Sequence, residues 1–292
     1  ASDVYKRQAL AMQTASFSNI ILDFVMMYPM NMGIFGAALA TGLSPAIGLC
    51  ICGMHLLLKK NQFHFACSGI RLGELGRIVS IGLSSFVNEC SASVVLVVYN
   101  LLILRHSGNT GVAAYGIVAN LALVVMAVFT GISHGIQPLL GRAFGRGDEA
   151  EIKTLYRTGA LLCACIGIGT LAIAHGFAGQ LAALFNREND PMLQMIAESG
   201  MRLYFIGFLF AGQNVLTAAL FASVQKPGSA FFISFFRGCA GVIVSAAIFA
   251  AFFGMNGIWL SFPVTEGMAV LIGRYFGQRE KEAELEENCA AS

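Results

Sequence analysis

The stretch IVSIGLSSFVNECSASVVLVVYNLLIL, residues 78–104, contains one charged side chain, Glu89, among residues that are otherwise apolar or small and polar. A run of this length can cross the hydrocarbon core of a bilayer, which takes roughly 20 residues at about 1.5 Å each. The stretch therefore predicts a transmembrane helix with a carboxylate inside it. A charge at mid-bilayer costs about 3 kcal/mol on insertion scales, so Glu89 marks a candidate functional site.

The composition of the whole chain agrees with this interpretation. Of its 292 residues 57% are hydrophobic and only 12% are charged, whereas a soluble domain carries about a quarter charged residues. Runs long enough to span a membrane recur along the chain, and they predict an all-α polytopic membrane protein with about eight transmembrane helices. Their approximate bounds are 9–29, 34–58, 78–104, 111–136, 158–185, 193–223, 228–253 and 255–276.

The basic residues predict the orientation of these spans. Fourteen lysines and arginines fall in one set of alternate loops and three in the other. By the positive-inside rule the first set is cytoplasmic, so we expect both termini on the cytoplasmic side. Residues 59–77 form a basic, partly amphipathic connector that we expect to lie along that surface and to join two lobes. Residues 277–292 are predicted to be a charged cytoplasmic tail, and residues 1–8 are interpreted as a non-native leader.

A faint internal repeat supports the two-lobe organisation. GIFGAALATGLS from Gly33 matches GMNGIWLSFPVT from Gly254 at four of twelve positions, with an offset of 254 minus 33, or 221 residues. Six spans fill one repeat, an even number, so both copies would cross the membrane in the same direction. Residues 9–58 are then the last two helices of an N-lobe, and residues 78–276 are a complete six-helix C-lobe.

Several stretches resemble the multidrug and toxic compound extrusion (MATE) transporters. They are NIILDFVMMYPMNMGIFGAALAT from Asn19, VAAYGIV from Val112, GISHGIQPLLGRAFG from Gly131, KPGSAFFISFFRG from Lys226 and GMNGIW from Gly254. The third is similar to a family signature, Gly-Ile-Ser-x-Gly-x-Gln-Pro. The resemblance extends from Asn19 to about Phe276.

This resemblance implies a fragment of a twelve-helix antiporter with two lobes around a central cavity. Such proteins export organic cations and drugs in exchange for Na⁺ or H⁺, and they need no other cofactor. It also places Glu89 where sodium-coupled relatives carry a cation-binding glutamate, so Na⁺ at Glu89 is an expectation. Those relatives add an aspartate on the fourth helix of the lobe, where this chain offers only Gln213, Asn214 and Thr217.

The polar pattern around Glu89 predicts a cavity-lining face. Ser85, Glu89, Ser93 and Asn100 follow one another at helical spacing, while the opposite face is Val and Leu. Packing of the serines against neighbouring helices remains an alternative. On the next span Asn120 can reach the same cavity.

Other polar residues within the spans are assigned mainly structural roles. Arg237 and Glu266 lie at matching depth on consecutive antiparallel helices and are predicted to form a structural ion pair. Asp23 is assigned a structural hydrogen bond, and Gln137 with Pro138 is expected to end or kink a helix. His134 is more typical of a hydrogen-bonded interface residue than of a proton relay.

Other classes of function fit less well. The chain has no paired-carboxylate, HExxH or nucleophile-with-base motif for an enzyme, no cysteine spacing typical of a metal site, and no soluble basic domain for nucleic acid. A lipid-linked oligosaccharide flippase, and an inactive truncated fragment, remain alternatives. We expect a monomer in the plasma membrane of a prokaryote, with small organic cations as its ligands.

Overall fold

In the computed structural model, the backbone is described for residues 2–57 and 72–291, and the side chains for residues 13–50, 93–226 and 228–279. Within these ranges the chain is helical and contains no strand, and it divides into two compact units, Ala1–Arg71 and Leu72–Ser292. A 3₁₀ turn covers Phe205–Gly207, and a π-helical turn covers Phe236–Ala240. The α-helices are α1 (Ser2–Met27), α2 (Gly33–Leu57), α3 (Leu72–Gly145), α4 (Glu149–Gly176), α5 (Ala178–Phe185), α6 (Pro191–Tyr204), α7 (Phe208–Ser223), α8 (Pro227–Phe235) and α9 (Gly241–Ala291).

Five helical segments in the described ranges are long and apolar enough to cross a membrane. Two of them, with 53 and 52 residues, are far longer than one crossing requires. Each is interrupted at one glycine with positive φ, Gly108 at 63° in α3 and Gly254 at 58° in α9, so each consists of two arms. The prediction of an all-α polytopic membrane protein is confirmed. In chain order the eight predicted spans fall on α1, α2, the first arm of α3, the second arm of α3, α4 with α5, α6 with α7, α8 with the π turn and the first arm of α9, and the second arm of α9.

The two ends of the proposed repeat share local geometry. Gly33 and Gly254 both have positive φ, at 53° and 58°, a conformation that glycine adopts without steric cost. Three residues further on, a Cβ on Gly36 would lie 3.0 Å from Met26, and a Cβ on Gly257 would lie 1.9 Å from the carbonyl oxygen of Phe249. Two helical hairpins, α1 with α2 and the first arm of α9 with its second arm, therefore have glycine where their two helices approach one another.

Some of the domain boundaries predicted from sequence fall within the residues that the structure describes. The boundary between the two units, after Arg71, falls within the predicted connector 59–77, and α3 already begins at Leu72. The rest of that connector up to residue 71 lies outside the described residues. At the C-terminus the α9 backbone continues to Ala291, through most of the predicted tail.

The core of the second unit is aromatic and fully buried. Tyr99, Phe129, Phe208 and Trp259 each have 1% or less of their surface exposed. They come from α3, α7 and α9, so both arms of α3 and the second arm of α9 pack around the centre of the second unit. Many large apolar side chains of the described residues are exposed, as expected for helices that face lipid.

Candidate functional site

The carboxylate of Glu266, on the second arm of α9, is the most enclosed charge in the described part of the chain. Its side chain is 1% exposed. Nη2 of Arg237 lies 2.7 Å from Oε1, and Nε of Arg237 lies 3.2 Å from Oε2. The guanidinium thus binds both oxygens in the two-point geometry that favours arginine over lysine at buried pairs.

Asn214 on α7 completes the surroundings of this carboxylate. Its Nδ2 donates to Oε2 of Glu266 at 2.6 Å and to the backbone carbonyl of Glu266 at 2.8 Å. Asn214 is itself 1% exposed. One acidic side chain therefore connects α7, the π turn and α9, and the charge and both oxygens of Glu266 have partners within the protein.

The π turn determines where Arg237 stands. Arg237 is the second residue of the segment Phe236–Ala240, where the helix widens to i→i+5 bonding. Directly after it, the backbone of Gly241 comes so close that an added Cβ would lie 2.8 Å from Cγ2 of Thr265. The wide turn and the glycine together bring this helix within reach of Glu266.

A ladder of hydroxyl groups lies beside the ion pair. The Tyr99 hydroxyl is 2.5 Å from Oγ of Ser261, and Oγ of Ser245 is 2.7 Å from Oγ1 of Thr265. Thr265 and Ser245 both donate to the carbonyl of Ser261, at 2.7 Å and 3.3 Å. All four side chains are buried, so these bonds satisfy polar groups that would otherwise be unpaired inside the membrane.

Aromatic rings from α6 and α9 pack together in the same hydrophobic core. Tyr204 stacks on Phe262 with ring centroids 4.2 Å apart, and it meets Trp259 edge-on at 6.4 Å. Trp259 is fully buried, and its indole N–H has no hydrogen-bond partner in the described part of the chain.

The first unit contains a carboxylate, Asp23, whose buried oxygen has no hydrogen-bond partner among the described residues. Oδ1 of Asp23 and Nδ2 of Asn19, one turn apart on α1, are both buried and have no hydrogen-bond partner among the described side chains. Polar groups shielded from water are normally paired. On α2, by contrast, Thr41 and Ser44 bond to the carbonyls of their own helix, at 2.9 Å and 2.6 Å.

The fold and this polar core can now be set beside known proteins. The family model MatE matches residues 85–246, more than half of the chain. The chain belongs to the MatE family.

Curated relatives of this MatE chain include multidrug export proteins named MepA. The protein from Staphylococcus saprophyticus is 24% identical over 262 residues, which is 87% of this chain and 55% of the relative. That from Staphylococcus aureus strain MSSA476 is 26% identical over 267 residues, again 87% and 55%. The chain thus spans about half the length of these relatives.

Solved structures share the fold. One, described as the outward-facing conformation of a multidrug resistance MATE family transporter of the MOP superfamily, superposes with a TM-score of 0.83 at 23% identity, covering 94% of this chain and 62% of that one. The inward-facing conformation gives a TM-score of 0.76 at 22% identity, covering 95% and 64%. These likenesses establish the fold of the MatE chain.

The structure describes some of the polar residues predicted within the spans of this MatE chain but not others. Glu89 and Ser85 belong to helix α3, but their side chains are outside the described residues. Ser93, Asn120 and His134 are exposed on the second unit. Asn100 and Asn120 donate to carbonyls of their own helix, Leu96 and Gly116, both at 2.9 Å.

The residues predicted on the fourth helix of the lobe point in different directions. Nε2 of Gln213 donates to the carbonyl of Ala160 on α4 at 2.7 Å, so this side chain serves helix packing. Oγ1 of Thr217 donates to the carbonyl of Gln213 and lies 2.9 Å from the Tyr156 hydroxyl. Only Asn214 turns to a charged group, Glu266. Near the end of α3 the carbonyl of Gln137 accepts from Ser223 at 3.4 Å.

Sequence reasoning did not find the hydroxyl ladder of Tyr99, Ser245, Ser261 and Thr265. Its members are isolated in apolar helices, and their partners are up to 162 residues away in sequence. One signal was available, because Ser261 and Thr265 are four residues apart and therefore share one face of the helix that carries Glu266.

Proposed function

We propose that the full-length protein exports small organic cations across the plasma membrane, in exchange for Na⁺ or H⁺, by alternating access of two lobes. Membership of the MatE family supports this, and relatives that align over most of this chain are named multidrug export proteins. Because the chain spans about half of those relatives, transport is proposed for the full-length transporter.

One observation carries the proposal: once the Arg237–Glu266 ion pair is set aside, the charged side chains near mid-depth in the spans are carboxylates. Apart from Glu198 and Arg202 in the first third of span 193–223 and Arg274 at the end of span 255–276, the sequence places three carboxylates within the spans, Asp23, Glu89 and Glu266, and one arginine, Arg237. The arginine is bound on both oxygens of Glu266, so its positive charge is neutralised within the second unit. Asp23 and Glu89 remain, and an acidic interior attracts cations.

These two carboxylates are our candidates for binding the coupling ion. Oδ1 of Asp23 is buried without a partner in the described part of the chain, so a proton or a small cation would satisfy it. Glu89 lies among apolar residues at a predicted mid-membrane depth, where a carboxylate is costly unless it serves such a purpose. We assign Ser93, Asn100 and Asn120 to the wall of the substrate cavity.

The paired arginine also weakens the alternative of a lipid-linked oligosaccharide flippase. A pyrophosphate carrier needs free positive charge in its cavity, because phosphate groups bind guanidinium and ammonium groups. Arg237 is the arginine that the sequence places near mid-depth in a span, and it is held by Glu266. A cation-selective cavity therefore fits this chain better than an anion-selective one.

The test is dye transport by the full-length transporter in proteoliposomes. Ethidium, a flat organic cation, is loaded, and its movement is followed with an imposed Na⁺ gradient, an imposed pH gradient, or neither. We expect gradient-driven transport by the parent protein and a loss of about tenfold or more in Asp23→Asn or Glu89→Gln, a typical cost of one polar contact of about 1.4 kcal/mol.

Glu188 provides the matched control. It lies exposed in the segment between α5 and α6, so Glu188→Gln removes one negative charge outside the predicted spans. We expect this variant to transport like the parent. The proposal fails if the parent does not move ethidium under either gradient, or if both carboxylate variants retain full gradient-driven transport.

A further inference from the structure

The surroundings of Glu266 have the properties of a cation site that is already filled. Both carboxylate oxygens bind the guanidinium of Arg237, at 2.7 Å and 3.2 Å, and Asn214 donates a further hydrogen bond at 2.6 Å. The carboxylate side chain is 1% exposed. No cation from solution can approach it while the guanidinium is in place.

We propose that Glu266 and Asn214 form a monovalent-cation site in the second unit and that the guanidinium of Arg237 is its built-in occupant. The native protein would then bind no coupling ion at Glu266. That task would remain with the other two carboxylates proposed for it, Asp23 and Glu89, if the proposed antiport is correct.

The chemistry of the ligands supports an alkali cation as the ion that could replace the guanidinium. Carboxylate and amide oxygens suit hard cations. One carboxylate balances one positive charge, so a divalent ion would leave a net charge buried in the low-dielectric interior, which is costly. The side-chain amide of Asn214 can present either its N–H or its oxygen, so it can serve a carboxylate alone or share a cation with it.

The local backbone around Arg237 explains how its guanidinium is held at Glu266. Arg237 stands in the π turn, and its side chain is 14% exposed. The glycine that follows the turn, Gly241, allows close contact with Thr265, the neighbour of Glu266. The helix is thus shaped to deliver this one side chain to the carboxylate.

The experiment compares the cation dependence of thermal stability in the purified full-length protein. The variant Arg237→Gln keeps a polar but shorter side chain and removes the charge. The double variant Arg237→Gln with Glu266→Gln removes both charges and is the matched control. Each protein is heated in detergent in 150 mM NaCl, KCl or choline chloride, about physiological ionic strength.

We expect the Tm of Arg237→Gln to rise by about 3 °C or more when choline is replaced by Na⁺ or K⁺, because a ligand that binds only the folded state stabilises it. The parent protein, whose site is filled, and the double variant, which has no carboxylate, should shift by less than about 1 °C between cations. If Arg237→Gln responds no more than the double variant does, the proposal is wrong.

The complementary variant Glu266→Gln provides a second test if Arg237→Gln does not yield folded protein. Glu266→Gln leaves the guanidinium without its carboxylate, so the same site should now take an anion. We expect its Tm to rise by about 3 °C or more when gluconate is replaced by chloride, while the parent is unchanged. No chloride response in Glu266→Gln would overturn the proposal. Neither measurement involves transport, so its result is separate from that of the dye assay.

Discussion

Asp23 in the first unit and Glu266 in the second are both acidic residues on membrane helices, but their surroundings are opposite. Glu266 has a guanidinium on both oxygens and an amide as a third partner. Asp23 has a buried oxygen with no partner in the described part of the chain. The two carboxylates therefore differ in their counter-charge, which Glu266 has within its own unit and which Asp23 does not have among the described side chains.

The internal repeat sharpens this contrast. With the offset of 221 residues, Glu266 corresponds to Pro45 (266 minus 221) and Arg237 to Ser16 (237 minus 221). In the other direction Asp23 corresponds to Val244 (23 plus 221). Each lobe thus has charged residues that the other lacks, although Ser44 and Thr265, which also correspond, make the same bond to the carbonyl four residues before them.

The largest effect is expected for Arg237→Gln. Removing one partner of a buried pair leaves an uncompensated charge and costs about 3–5 kcal/mol. The double variant with Glu266→Gln should recover most of this loss. Thermal unfolding in detergent, in choline chloride, measures both, and equal destabilisation of the single and double variants would show that the two charges do not act as a pair.

A smaller loss is expected for Asn214→Ala. The variant removes the hydrogen bond from Nδ2 to a charged oxygen, which is worth about 1.5–3 kcal/mol. Thr217→Ala on the same helix is the control, because the Thr217 side chain bonds to a carbonyl and a hydroxyl and not to a charge. Similar unfolding temperatures for the two variants would contradict the importance of Asn214 to the carboxylate.

The two hairpins allow a comparison of steric tolerance. In Gly257→Ala the new Cβ would lie 1.9 Å from the Phe249 carbonyl oxygen, and we expect a loss near the top of the range of about 1–3 kcal/mol for overpacking. In Gly36→Ala the contact with Met26 would be 3.0 Å, so the loss should be about 1 kcal/mol or less. The same unfolding assay ranks them, and a larger loss for Gly36→Ala would contradict this geometry.

The smallest change in stability is expected for Asp23→Asn. No described partner loses a bond, and a neutral amide is easier to bury than a carboxylate, so stability should change by less than about 1 kcal/mol or increase. Glu266→Gln, which strands Arg237, should destabilise by several times as much. A loss in Asp23→Asn as large as that in Glu266→Gln would reveal a counter-charge for Asp23 elsewhere in the full-length protein.

Much of the fold could be predicted from the sequence because hydrophobic length and glycine carry local information. The breaks at Gly108 and Gly254 fall between predicted spans, where positive φ requires a residue without Cβ. The contact between Arg237 and Glu266 could be anticipated from depth alone, since charges in lipid need partners and these two lie on consecutive helices.

The rest of the candidate site could not be predicted, because it depends on the rotation of each helix. Gln213 and Asn214 are adjacent, about 100° apart around α7, and only the packing decides that one faces α4 and the other Glu266. The Tyr99 to Ser261 contact joins residues in different helices with no local pattern. The π turn, which sets the direction of Arg237, also has no signature that the sequence analysis used.

That turn has a consequence for how relatives of this chain are compared. A π turn contains one residue more than the α-helical turn it replaces, so it is equivalent to a single-residue insertion between Phe235 and Gly241. A relative with a regular helix here should align only with a one-residue gap. If the gap is left out, the residues on one side of it are paired with a different helix face, and the arginine that binds Glu266 here would be matched to a residue on another face of the helix.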